Sequence, residues 1–251
     1  QRRNEEKREG MTSHAILDGT IHRDLRVRTG AGADLGDGVM AALTVPAEFR
    51  RVQGHFPILF RRETGQERFF AVALLGFETG ENLFLDAAGW DVGYRPLSLA
   101  IQPFLVGRAA NGAASAQVHI DLAHPRIAAA GEAEGVRLFD ADGLPTPFLE
   151  DIAEKLGDLD EGYRESEAFF AALAEHELLE PFTLEVTLDD GSLSSLVGFH
   201  IIDEARLRAL DAAALGRLHE AGHLMPIFMA VASLAQIRPL VDRKNRRRRD
   251  G

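Results

Sequence analysis

The chain contains no cysteine. Disulfides, thiolate-bound metals and a cysteine nucleophile are therefore excluded. Aromatics with a polar tip are scarce, with one Trp and two Tyr beside fifteen Phe, so any such residue on a loop stands out. Positive charge is in deficit: 28 Lys and Arg face 39 Asp and Glu, a net charge of −11. A chain of that sign repels a phosphate backbone, which argues against general nucleic-acid binding. No apolar run reaches the roughly 18 residues of a membrane helix, so no membrane span is expected. The opening "QRRNEEKREG" has no apolar h-region, and the cytoplasm is the expected compartment. Missing too are a G-x-S-x-G nucleophile elbow, a G-x-G-x-x-G fingerprint and a P-loop. No cofactor is expected.

What is present is an ordinary globular composition, 45% hydrophobic and 27% charged, over 251 residues, enough for a substantial core. The pattern reads as α+β, with a β-rich N-terminal half containing hairpins and a helix-rich C-terminal half. Residues 1–10 read as a disordered or non-native extension before Met11. One domain is expected over 11–242, β-rich to about 139, and 243–251 reads as a basic disordered tail.

"VMAALTVP" and "FFAVALLGF" are strand-like runs. "ENLFLD" is expected to pair with the second across a Thr79-Gly80-Glu81 tip. Pro57 confines "FPILF" to a strand start or an edge, and Pro46 opens a short helix. "VHIDLAHPRI" is a further strand, and 109–117 a flexible loop. Pro147 opens a helix bearing Phe148, Ile152 and Leu156 on one face, and a second helix runs from Tyr163 to Leu179. Asp190-Gly191 is a hairpin turn. Asp203 caps "EARLRALDAAALGRLHEAG", which Gly222 ends, and a last helix spans Pro226 to Pro239.

His219-Glu220-Ala221-Gly222-His223 spells HExxH. For zinc chemistry both imidazoles must share one face of a continuous helix, with Glu220 as general base. Gly222 and Pro226 bracket the second His, and no Asp, Glu or His follows until Asp242. Asp203 or Glu204 would be a distant third ligand. The preferred reading is a helix C-terminus, where His is favourable beside the dipole; a zinc-dependent hydrolase using Glu220, His219 and His223 is the alternative. "DADGLPTPFLED" opens like a calcium loop at Asp140, Asp142 and Gly143, but its prolines and spacing make it an Asp-Gly turn. "GWDVGYRP" places Trp90, Asp91, Tyr94 and Arg95 on one turn-rich segment, the best binding candidate, with a core-plugging Trp as the bland counterpart.

Several blocks together resemble the SapC family: "IHRDLRV", "VPAEFRRVQGHFPILF", "ALLGFETGENLFLDAAGWDVGYRP", "RLFDADGLPTPFLEDI" and "GFHIIDEARLRAL…LHEAGHL…SLAQI", in that order over about residues 21–242. The family takes its name from a bacterial surface-layer locus, and the resemblance implies a soluble bacterial protein. It brings no catalytic residue set. Where relatives carry a basic pair before Tyr-Pro-Phe, this chain reads "LAIQPF", keeping Pro103 and Phe104. The expected role is non-catalytic binding or assembly with a protein or peptide partner.

Overall fold

The computed structural model describes residues 13–63, 65, 68–108, 116–129 and 132–250. In chain order the strands begin β1 (His14–Ile16), β2 (Arg26–Val27), β3 (Ala41–Thr44), β4 (Ile58–Arg62), β5 (Phe69–Leu74), β6 (Leu85–Asp86). They continue with β7 (Gly89–Trp90), β8 (Phe104–Arg108), β9 (Ala116–Asp121), β10 (Val136–Arg137), β11 (Leu179–Thr187) and β12 (Leu193–Ile202). The helices are α1 (Phe49–Val52), α2 (Leu97–Ala100), α3 (Pro147–Glu175), α4 (Glu204–Ala209), α5 (Ala212–Glu220), α6 (Leu224–Ser233) and α7 (Ile237–Asp250). The class is α+β. Most strands precede α3 and most helices follow it, although the longest hairpin, β11–β12, sits among the helices.

Contacts divide the chain into two compact units, one from the residues up to 37 with 100–160, the other from 38–99 with 161–251. The sequence pattern leads to one domain over 11–242 that is β-rich to about 139. Both units are discontinuous, and a linear reading of composition does not register a chain that leaves a unit and returns.

In the first unit β9 pairs antiparallel with β1 and β8, and β2 pairs with β10. Ile152 and Leu156 are buried as their spacing required, while Phe148 stays half-buried, tilted against Phe104. A buried ion pair joins Arg126 to Asp37 at 2.7 Å. Arg126 also donates to the carbonyls of Arg28 and Gly30, and Asp37 accepts from the Gly32 N–H. Both terminal guanidinium nitrogens and the carboxylate are thus engaged, the condition for tolerating two charges inside a protein, while Arg126 Nε is left without a partner among the described residues. Asp140 closes its own turn by accepting the N–H groups of Asp142 and Leu144, which fits the Asp-Gly turn reading.

In the second unit five antiparallel strands run β11-β12-β4-β5-β3. Its core includes Phe49, Phe56, Phe60, Phe169, Phe199 and Ile227, with edge-on ring contacts such as Phe49–Phe169 at 6.1 Å. β4 starts directly after Pro57, whose missing N–H is harmless at a strand start. "ENLFLD" does not pair with β5 as a strand, because β4 and β3 already occupy both edges of β5; its Leu85–Asp86 pairs with Gly89–Trp90 instead.

The two helices expected on either side of residue 160 are one, α3, 29 residues long. Gly162 interrupts nothing: a Cβ there would lie 2.6 Å from Val45 Cγ2, so the glycine lets the helix approach that residue closely. The helix expected after Asp203 is instead two. Asp203 caps α4 through the Arg206 N–H and Asp211 caps α5 through the Ala214 N–H, each a side-chain oxygen meeting an orphan donor.

The last helix does not stop at Pro239, which falls in the first turn of α7, where no backbone donor is needed. The expected disordered tail is therefore corrected over 243–250. Lys244 is buried and donates to Glu78 at 2.7 Å and Glu81 at 2.6 Å. Arg243 pairs with Asp91 and lies over the Phe84 ring, Arg248 pairs with Asp190, and Arg249 with Asp189. A charge run that looks solvated in sequence finds carboxylates on three separate segments, and the buried Lys stem adds apolar contact that offsets the ordering entropy.

Leu224–Arg249 is helical throughout and, by length and composition, long and apolar enough to cross a membrane. Gln236 and Arg238 interrupt this run in the sequence. Within the unit, Ile227, Ala230 and Ser233 face inward, and Ser233 Oγ accepts the Ile58 N–H.

Candidate functional site

The HEAGH segment begins on α5 and ends outside it. His219 and Glu220 are exposed at the end of α5, Ala221 caps it, and Gly222 takes φ +75°. The His223 N–H then donates to the Leu218 carbonyl and the Gly222 N–H to His219, a Schellman closure. A left-handed residue between the histidines turns the chain, so His223 precedes α6 instead of following His219 one turn along a helix. Its ring stands edge-on to Phe169 at 5.7 Å, and burial holds its pKa below the usual imidazole value. Among the described residues no group of three His, Cys, Asp or Glu could hold a metal ion.

The "GWDVGYRP" residues do come together. Trp90 is half-buried, packed on Phe56 and stacked near Phe84, and its Nε1–H donates to the Tyr94 carbonyl at 2.8 Å. The Arg95 guanidinium lies 5.9 Å from the Trp90 ring centre. Asp91 is held by Arg243 at 2.5 Å. The Tyr94 hydroxyl donates to Glu48 at 2.6 Å. The indole N–H, the Asp91 carboxylate and the phenol are thus all engaged within the chain.

Glu48, which the sequence did not single out, organises this region. It is buried in the turn entering α1 and accepts from Thr44 Oγ1, the Tyr94 hydroxyl and the Leu97 N–H. Burial, and then the Glu48 carboxylate, push the Tyr94 phenol well above its ordinary pKa. The same two causes raise that of Tyr163. A carboxylate saturated in this way braces strand, turn and loop; it is not presented to a substrate as an acid or base.

Beside this brace lies an open apolar groove of about 670 Å³. One wall is the α3 face carrying Tyr163, Phe170, Ala171 and Ala174 at helical spacing, the other is Leu43 of β3 with Phe69 and Phe70 of β5. Leu43 is 41% and Tyr163 39% exposed, high for large apolar side chains. Glu63, Arg68 and Glu167 complete the rim, with Arg68 and Glu167 paired at 3.1 Å in solvent. The available sequence signal was the 163, 167, 170, 171, 174 repeat on α3, which reads as a core face until its partner surface is known.

No curated protein and no solved structure matches the chain. A family model does: that of SapC, which matches residues 17–240, well over half of the chain, and to this SapC family the protein belongs.

Proposed function

We propose that this SapC-family chain is a non-catalytic binding or assembly protein that receives an apolar segment of a protein or peptide partner in the groove between α3 and the β3–β5 edge. The observation that carries the reading is the groove itself: concave, lined by Phe69, Phe70, Tyr163 and Phe170, and rimmed by two carboxylates and one guanidinium. Its size falls in the range of ligand-binding clefts. Aromatic anchors lining a concavity with a polar rim are how such segments are recognised. Glu63 and Glu167, beside the acidic surface of α3, favour a partner with basic residues flanking its apolar anchors. The Glu48–Tyr94–Trp90 assembly serves this reading as a rigid support for β3, since Glu48 ties to Thr44 at the groove floor.

The test is selection of a random-sequence phage-displayed peptide library on the immobilised protein, followed by affinity measurement on the enriched peptides. Peptides with aromatic or branched apolar anchors are expected. Ala171→Trp, which fills the groove from an exposed helix position, should weaken them about tenfold or more at unchanged melting temperature. Enriched peptides that bind Ala171→Trp as well as wild type, or no enrichment at all, would overturn the reading.

A further inference from the structure

The outward face of α6 carries a second apolar surface, separate from the groove. Met225, Phe228, Ala232, Ala235 and Pro239 are all exposed and follow one another at spacings of three and four residues. They form a stripe about 21 Å long on one side of the helix. Met225 is 56% and Phe228 54% exposed, while the opposite side, Ile227, Ala230 and Ser233, is fully buried. An apolar side chain standing alone in solvent is ordinary; a continuous helical stripe is the signature of a contact surface.

Two features of the stripe specify what fits it. Its bulk is graded, with Met225 and Phe228 in the first half and Ala232 and Ala235 in the second. A helix graded in this way is complementary to itself when turned end for end: about an axis at Ala232, each Phe228 lies over the small residues of the other helix. Charge follows the same symmetry. Arg50 lies on Met225, with Nη2 3.6 Å from Sδ. Asp242 sits one turn beyond Pro239, half-exposed, with a loose 3.7 Å contact to Arg238. Opposing Met225 to Pro239 therefore brings Arg50 of each copy to Asp242 of the other, twice.

We infer that the α6 face is an isologous interface between two copies of this chain, packed antiparallel about Ala232. A lipid surface is the other apolar occupant to weigh. Asp242 just past the end of the stripe and a net charge of −11 disfavour anionic headgroups, whereas a second copy supplies the arginine that Asp242 matches. A stripe of this length buries on the order of 800 Å² in total, the low end for specific contacts, so association is weak and concentration-dependent.

Sedimentation of the full chain over a wide concentration series tests this. The weight-average mass should rise from one chain toward two. Phe228→Glu, at an exposed position, should keep the mass at one chain throughout, with an unchanged melting temperature. Arg50→Asp and Asp242→Arg should each weaken association by at least about fivefold, and the double reversal should restore it. Three outcomes overturn the inference: a wild-type mass of one chain at every concentration, equal association by Phe228→Glu, or Phe228-dependent flotation of a single-chain species with phosphatidylserine vesicles.

Discussion

Replacing Lys244 by Met leaves the side chain's length and apolar contact almost intact and removes its charge. The Lys244 side chain is 5% exposed and is shared by Glu81, at 12%, and Glu78, at 59%. Burial alone would lower the ammonium pKa, but the hydrogen bonds to Glu78 and Glu81 outweigh it and the net displacement is upward. Glu78 is lowered in turn, chiefly by its bond to Lys244. Stripping one member from a buried pair costs about 3–5 kcal/mol, because the remaining charge keeps its desolvation cost without its partner. Glu78 can turn to water and Glu81 largely cannot, so the lower end, about 3 kcal/mol, is expected. For a chain of this size that is a drop of about 6–12 °C in melting temperature. Adding Glu81→Gln to Lys244→Met removes the stranded carboxylate and should recover a good part of the loss, the signature of coupling between the two positions. Thermal melts followed by circular dichroism read all three variants. A Lys244→Met protein that melts within about 2 °C of wild type would refute the docked-helix account and return 243–250 to a solvated tail.

Trp90→Phe removes the donor to the Tyr94 carbonyl and should cost about 1 kcal/mol, whereas Trp90→Ala also empties the space against Phe56 and Phe84 and should cost about 3 kcal/mol in a denaturant titration. A Trp90→Ala protein that is as stable as wild type but no longer binds the selected peptides would instead place the binding surface on this loop. Burial holds the imidazoles of His124, His200 and His223 below the usual value. Their unfolded forms take up a proton near pH 6.5 and the folded forms resist it, so their contribution is complete above about pH 6.5 and is lost as pH falls through the folded pKa values. Denaturant midpoints should therefore fall as pH drops below about 6.5, before the lowered carboxylates of Asp18, Glu78 and Asp190 lose theirs, and His200→Asn with His223→Gln should flatten the fall. A midpoint that rises on acidification contradicts the sign. Metal analysis should find no stoichiometric zinc, since the Gly222 turn separates the two histidines; about one zinc per chain, lost in His223→Ala, contradicts this.

What was legible in the sequence was local. Gly222 closing α5, Pro147 opening α3, Asp203 as a cap and Asp190-Gly191 as a turn each follow from the conformational needs of a few adjacent residues. What was not legible was pairing at a distance. The partners of Lys244 lie more than 160 positions earlier, and "ENLFLD" was assigned to the strand beside it in sequence because nothing local reveals that β3 and β4 already flank that strand. The groove is hidden for the same reason: its walls come from β3, β5 and α3. Trp90 and Tyr94 share one short segment, but Glu48, whose carboxylate accepts from the Tyr94 hydroxyl, looks in the sequence like one more acid on a short helix.

The central claim is that a partner segment lies in the α3 groove, and photo-crosslinking tests it most directly. A photoreactive phenylalanine analogue is placed at exposed Ala174, on the groove wall, or at exposed Leu193 of β12, outside it, and each protein is irradiated with a selected peptide. A peptide adduct is expected from position 174, suppressed by Ala171→Trp, and none from 193. An adduct from 193 with none from 174 would contradict it.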